Sequence, residues 1–160
     1  AAEIGCTNTH FVNASGLPDE NHYSTAHDMA LIMREGLKNK KFRKIIGATD
    51  YVIEPTNKNS ESRVLHTHHP MLAPESGYYY KGCIGGKTGY TTEAGTCLAS
   101  YAVKYDKDTE KEDDLKSKTP GYIFVSAHGG NVWAPIFDAI NMYATVVDPN
   151  ALETKQVSAR

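Results

Sequence analysis

Three stretches in the second half of the sequence, residues 79–90, 95–104 and 121–127, are rich in β-branched and aromatic residues and punctuated by glycine. Such side chains pack well on a pleated surface, so each stretch predicts a strand. Only Thr91 to Ala94 separates the first from the second, a gap short enough for a hairpin. The third predicts a further antiparallel neighbour, and the rest of the chain has to pack against an antiparallel sheet of about three strands. Between the second and third lies Tyr105 to Lys118, where ten of fourteen residues are charged. A run of that kind stays in water, so it is expected as an extended hairpin loop.

The first half carries helical signals instead. Met29, Ile32, Met33 and Leu37 fall on one face at i, i+3, i+4 and i+8, a core stripe, and Thr25 with Asp28 forms a capping-box variant ahead of them. Asn39 predicts the cap of a shorter helix carrying Phe42, Ile45 and Ile46, stopped by Gly47. Thr49 to Glu54 reads as a strand ended by Pro55, and Thr56 to Arg63 as a polar surface turn. A final helix holds Trp133, Ile136, Phe137 and Ile140 on one face, with Asn131 as its cap, Pro135 in its first turn and Asp148-Pro149 closing it. The layout is α+β, with 1–148 as one domain part and 149–160 as a polar tail or linker. Ala1 to Gly5 reads as the last turn of a helix with Gly5 as its C-cap, so the chain is expected to start in mid-structure.

With 160 residues, 40% of them apolar and 22% charged, the composition is that of one globular domain. A net charge of -2 offers no basic surface, which disfavours a nucleic-acid partner. No apolar run approaches the roughly 20 residues of a membrane helix. Cys6, Cys83 and Cys97 are too few for a disulfide scaffold and fit no zinc spacing, so they read as small buried residues.

The sharpest chemistry is in Gly85-Gly86-Lys87-Thr88-Gly89-Tyr90-Thr91. The lysine supplies a fixed positive charge, the threonine hydroxyl can hold a carboxylate, and Gly89 removes a side chain where a ligand's backbone comes close. Such a strand also suits an extended peptide added along its edge. Alone, Lys-Thr-Gly is weak, since about one chain in twenty of this length carries the pattern by chance.

The surroundings strengthen it. Lys87-Thr88-Gly89 matches one of three motifs of penicillin-binding proteins and serine β-lactamases. With Tyr90-Thr91, Ala94-Gly95 and Leu98 following, the segment resembles low-molecular-mass D-alanyl-D-alanine carboxypeptidases, peptidase family S11. Thr9-His10-Phe11-Val12-Asn13 with Ser15-Gly16-Leu17-Pro18, then Tyr23-Ser24-Thr25-Ala26-His27-Asp28-Met29-Ala30, resemble that family's segments in the same order. The resemblance implies a partial serine β-lactamase/transpeptidase-like fold, a peptidoglycan stem peptide as substrate and β-lactams as ligands of the full-length protein. It also implies an extracytoplasmic site of action in a bacterial cell envelope, and no cofactor. It implies that Lys87 lines the cleft, Thr88 with Gly89 holds the terminal carboxylate, and the Tyr90 backbone N–H contributes to an oxyanion hole.

The chain also departs from the family. No serine here has lysine three residues on or asparagine two on, so neither Ser-x-x-Lys nor Ser-x-Asn is present. In the family both precede the Thr-x-Phe-x-Asn segment, which implies a position before Ala1 and an isolated chain without activity. No lysine or arginine lies around Gly129-Gly130-Asn131, where some relatives hold a basic residue. The family's strand order then implies an unpaired edge on residues 121–127, seeking the missing N-terminal part of the domain or self-association.

Two other readings stand beside this one. His66 and His68, at i, i+2 on a strand, share a face and could take a metal with His128 or Asp50; the plainer reading is structural or solvated. The chain could also be a cell-wall peptide-binding pseudo-enzyme that lost its nucleophile.

Overall fold

The computed structural model describes residues 1–104 and 121–147. Tyr105 to Lys118, Asp148-Pro149 and the tail from Ala151 therefore lie outside the described residues. Helix α1 spans Ala26–Gly36 and α2 spans Lys40–Ile46. Strands β1 (Asp50–Ile53) and β2 (Arg63–His66) form a two-stranded antiparallel hairpin. Strands β3 (Cys83–Thr91), β4 (Gly95–Val103) and β5 (Gly121–Gly129) form an antiparallel sheet in that order. Helix α3 (Ala134–Val146) follows.

The helix starts follow local chemistry. The Thr25 hydroxyl accepts from the Asp28 N–H at 3.1 Å, the cap expected for α1. The second half of the expected capping box is not made. The Asp28 carboxylate turns away and accepts from the Asn8 N–H at 2.8 Å and the Thr9 hydroxyl at 2.7 Å. It thereby ties the entering chain to the helix, a stronger use of a buried charge than a local cap. Asn39 caps α2 by accepting from the Lys41 and Phe42 N–H groups. Asn131 accepts from the Trp133 and Ala134 N–H groups at the head of α3. At the start of the chain a single 3₁₀ turn, Ala2–Ile4, ends on Gly5 at φ 90°, as its sequence implied.

The core lies between the three-stranded sheet and α3, closed by the segment that leads into β3. Met71, Leu72, Tyr80, Leu98, Ile136 and Tyr143 are its largest buried members. Each such side chain contributes roughly 1.5–3 kcal/mol on burial. Two expectations shift here. Tyr79 and Tyr80 are not strand: Tyr80 turns inward to complete burial, and its carbonyl accepts from the Cys83 N–H, where β3 begins. The buried face of α3 is Ile136, Ala139 and Tyr143, whereas Trp133 and Phe137 stay partly exposed and pack on Tyr78, Trp133 stacked at 4.7 Å. The α1 stripe is core chiefly through Met33, its buried member.

Arg63, expected to end a surface turn, instead opens β2 opposite β1, and of the two histidines expected on a strand His66 closes β2 while His68 lies beyond it. That hairpin leaves Tyr51, Val52, Val64 and Leu65 exposed. Cys6 and Cys83 are buried free thiols as expected, but Cys97 is only half-buried.

Candidate functional site

Strand β3 is the outer strand of its sheet, and among the described residues no strand pairs with its far side. Its register on β4 runs Lys87 opposite Ala99, Thr88 opposite Leu98, Gly89 opposite Cys97 and Tyr90 opposite Thr96. Side chains alternate along a strand, so Lys87 and Gly89 share one face and Thr88 and Tyr90 the other. Lys87, Gly89 and Tyr90 are exposed and Thr88 is half-buried. The structure therefore brings all four residues expected from the sequence to one open edge.

The glycines beside them do different work. A Cβ at Gly85 would meet the Ile46 side chain at 2.8 Å, and one at Gly86 would overlap the ring of His69. Those two glycines let α2 and residue 69 close against the strand. A Cβ at Gly89 would meet nothing within 4 Å, so packing inside this chain leaves the space before Gly89 open.

Two cavities flank that edge. One, about 370 Å³, lies between β3 and the β1–β2 hairpin and is lined by Thr49, Asp50, His66, His69 and Gly86 among others. The second, about 480 Å³, lies between β3 and the head of α3 and is lined by Gly89, Tyr90, Cys97, Val132, Trp133 and Ile136 among others. His68, Lys87 and Thr88 line both. The Lys87 ammonium donates to the Thr88 carbonyl. The second cavity's far wall, built by Val132, Trp133, Pro135 and Ile136, is apolar.

The histidines separate. His66 Nδ1 sits 2.6 Å from Asp50 Oδ1, a cross-strand pair on the exposed hairpin. His68 is exposed at the mouth of both cavities. Among the described residues no group of three or more His, Cys, Asp or Glu is placed to hold a metal ion. The metal reading through His66 and His68 thus gains Asp50 as a neighbour of His66, but no ligand set. His69, which drew no separate reading, is 2% exposed and sits behind Gly86. Burial first, and then the Lys87 charge, push its pKa down to about 4, so the ring is neutral near pH 7. The signal for it was Gly86 itself: a second glycine inside a strand marks a close neighbour.

The profile of the D-alanyl-D-alanine carboxypeptidase family matches residues 1–110. The D-alanyl-D-alanine carboxypeptidase DacF of Bacillus subtilis is 40% identical over 105 residues, which are 65% of this chain and 25% of that protein. The D-alanyl-D-alanine carboxypeptidase DacB2 of Mycobacterium tuberculosis is 36% identical over 106 residues, 65% of this chain and 34% of that protein. The crystal structure of the Streptomyces K15 DD-transpeptidase superposes with a TM-score of 0.69 at 24% identity, covering 88% of this chain and 48% of that one. That likeness concerns the fold, and it establishes the partial transpeptidase-like α+β architecture. The chain spans a quarter to a third of the two curated relatives and about half of the solved structure.

Proposed function

Because this chain belongs to the D-alanyl-D-alanine carboxypeptidase family, we propose that it is the substrate-holding part of a serine-type carboxypeptidase that removes the terminal D-alanine from peptidoglycan stem peptides. One observation supports this above the others: the open edge of β3 presents Lys87, Thr88, Gly89 and Tyr90 together between two cavities. On this reading the reaction is acyl transfer. A serine, activated by the lysine of Ser-x-x-Lys, attacks the carbonyl of the D-Ala-D-Ala bond, D-alanine leaves, and water releases the acyl group. Neither residue is among these 160, so the reading places them in the remainder of a longer protein.

The share of this chain is electrostatic and positional. Lys87 supplies positive potential in the cleft, Thr88 donates its hydroxyl to the terminal carboxylate, and the open space at Gly89 admits the peptide backbone. The Tyr90 N–H donates to the oxyanion that forms on the attacked carbonyl, and one such donor contributes about 3 kcal/mol to the transition state. β-Lactams would occupy the same edge in the longer protein. The site of action is extracytoplasmic, at the bacterial cell envelope. The free edge of β5 pairs with the rest of the domain or, in the isolated chain, with another copy.

Labelling with a fluorescent penicillin tests the reading. The longer protein takes up a stoichiometric covalent label, and this chain alone takes up none. A label on the isolated chain, or none on the longer protein, refutes it.

A further inference from the structure

Thr88 and Tyr90 leave β3 on one face, and the residues opposite them on β4, Leu98 and Thr96, share it. Leu98 is 1% exposed and belongs to the same core cluster as Ile136 of α3. That face of the strand therefore looks toward the head of α3, whereas Lys87 and Gly89 point the other way. All four of Thr88, Tyr90, Leu98 and Thr96 line the cavity of about 480 Å³.

The wall across that cavity carries no charged side chain, and two of its members are open to it. Val132 is 59% exposed and Trp133 is 44% exposed. The indole is nonetheless held. It stacks on Tyr78 with ring centroids 4.7 Å apart and 23° between the planes, and the Trp133 N–H donates to the Asn131 side-chain oxygen at 2.9 Å. A fixed aromatic ring that faces open space offers a ligand large apolar contact at little cost in side-chain entropy.

On the carboxypeptidase reading, the Thr88 hydroxyl holds the terminal carboxylate of the peptide. The side chain beside that carboxylate belongs to the residue that leaves, so it enters the cavity on the Thr88 face. The space there far exceeds what the methyl of D-alanine fills. We propose that Val132 and Trp133 form a subsite for the side chain of the leaving residue, so that the protein releases C-terminal D-residues with bulkier apolar side chains as well as D-alanine. The proposal deepens the carboxypeptidase reading and rests on it. The bond broken and the acyl group kept are unchanged, and only the departing amino acid differs.

The test uses the longer protein and acyl-D-Ala-D-X peptides in which X is alanine, leucine or asparagine, with each released D-amino acid followed by chromatography. Asparagine is close to leucine in size, so that pair separates apolar contact from bulk. One methylene in an apolar pocket discriminates roughly tenfold or more, so kcat/KM for D-leucine should exceed that for D-asparagine by about tenfold and be no lower than that for D-alanine. Trp133→Ala should cut the D-leucine value about tenfold and leave the D-alanine value within about twofold. A merely structural role for the indole would lower all three values together, and that result overturns the proposal. So does a wild-type protein that releases D-leucine much more slowly than D-alanine. Should Trp133→Ala fail to fold, Val132→Asn, at an exposed position, should narrow the gap between D-leucine and D-asparagine, and an unchanged gap overturns the proposal. Penicillin labelling keeps the two readings apart. A labelled protein that cleaves D-Ala-D-Ala and rejects D-leucine refutes the subsite alone, whereas an unlabelled one refutes both.

Discussion

The hydroxyls of Ser100 and Tyr143 lie 2.8 Å apart in a hydrogen bond sealed between β4 and α3, with both residues fully buried. Burial pushes the Tyr143 phenol far above its usual range, so the bond is between neutral groups at every working pH. Tyr143→Phe leaves the Ser100 hydroxyl buried and alone, which costs about 1–3 kcal/mol. Adding Ser100→Ala recovers part of that loss, because both partners are then apolar. Urea unfolding of the two single variants and the double variant checks the pattern, and additive losses would contradict it.

Two glycines three residues apart should answer alanine in opposite ways. Gly86→Ala drives a Cβ into the His69 ring and to 2.8 Å from the Ala99 carbonyl, an overpacking that costs about 1–3 kcal/mol. Gly89→Ala meets open space and should move stability by about 0.5 kcal/mol or less. In the longer protein Gly89→Ala should nonetheless slow penicillin acylation, since the added methyl stands where the ligand passes. Thermal melts paired with labelling rates separate the two effects.

Acid should weaken the fold in two stages. Burial and then the Lys87 charge hold the folded-state pKa of His69 at about 4, against an ordinary 6.5, so the unfolded chain binds the proton first. The stability tied to its neutral form is complete above pH 6.5 and is lost as pH falls from 6.5 to about 4. The full shift corresponds to about 3 kcal/mol as an upper bound. Asp28 behaves as a depressed carboxylate, held down chiefly by the Thr9 hydroxyl and then by the Asn8 N–H and His27. Its contribution is present above 3.8 and fades as pH falls below that value. Urea midpoints measured from pH 7 to 3 should fall in the upper window for the wild type and stay flatter there for His69→Gln.

In the longer protein, Lys87→Ala should reduce acylation at least tenfold while leaving the melting temperature near wild type, because the side chain is exposed at the strand edge. A tenfold loss corresponds to about 1.4 kcal/mol of transition-state stabilisation. Thr88→Val should chiefly impair substrates that carry a free terminal carboxylate. A lowered melting temperature with unchanged acylation would place Lys87 in the fold rather than in the reaction.

The isolated chain should self-associate at micromolar concentration through β5, whose outer side has no described strand beside it. Tyr122 on that strand is 39% exposed. A lysine there discourages edge pairing, so Tyr122→Lys should shift sedimentation toward the monomer. A wild-type chain that sediments as a monomer would refute this.

Much of the fold was legible in the sequence because local chemistry fixed it. Thr25, Asn39 and Asn131 cap where their side chains allow, and Gly5 and Gly47 stop where a helix ends. The pairing of the Lys87 to Tyr90 strand with its neighbour followed from a short hairpin and a strand pattern. What escaped was set by contacts between distant segments. Tyr80 leaves the expected strand for a site beneath Met71 and α3. The Asp28 carboxylate abandons its cap for Asn8 and Thr9, twenty residues earlier in the chain. Trp133 and Phe137 read as core by their spacing, yet Tyr78 meets them on the outside of the helix. His69 is invisible to any periodicity, since only the absent side chain of Gly86 reports on it.

The tight connection between β3 and β4 bears on how the molecule assembles over time. Thr91 pairs with Gly95 across three intervening residues, and Gly95 takes φ 61°, the left-handed geometry such a turn requires. Closing so small a loop costs little chain entropy, whereas β5 must return across the long charged connection before it can pair. Contacts near in sequence form sooner than distant ones. The strand that presents Lys87 and Thr88 therefore belongs to the earliest ordered part of the sheet, and the ligand-facing edge is in register before β5 docks onto it.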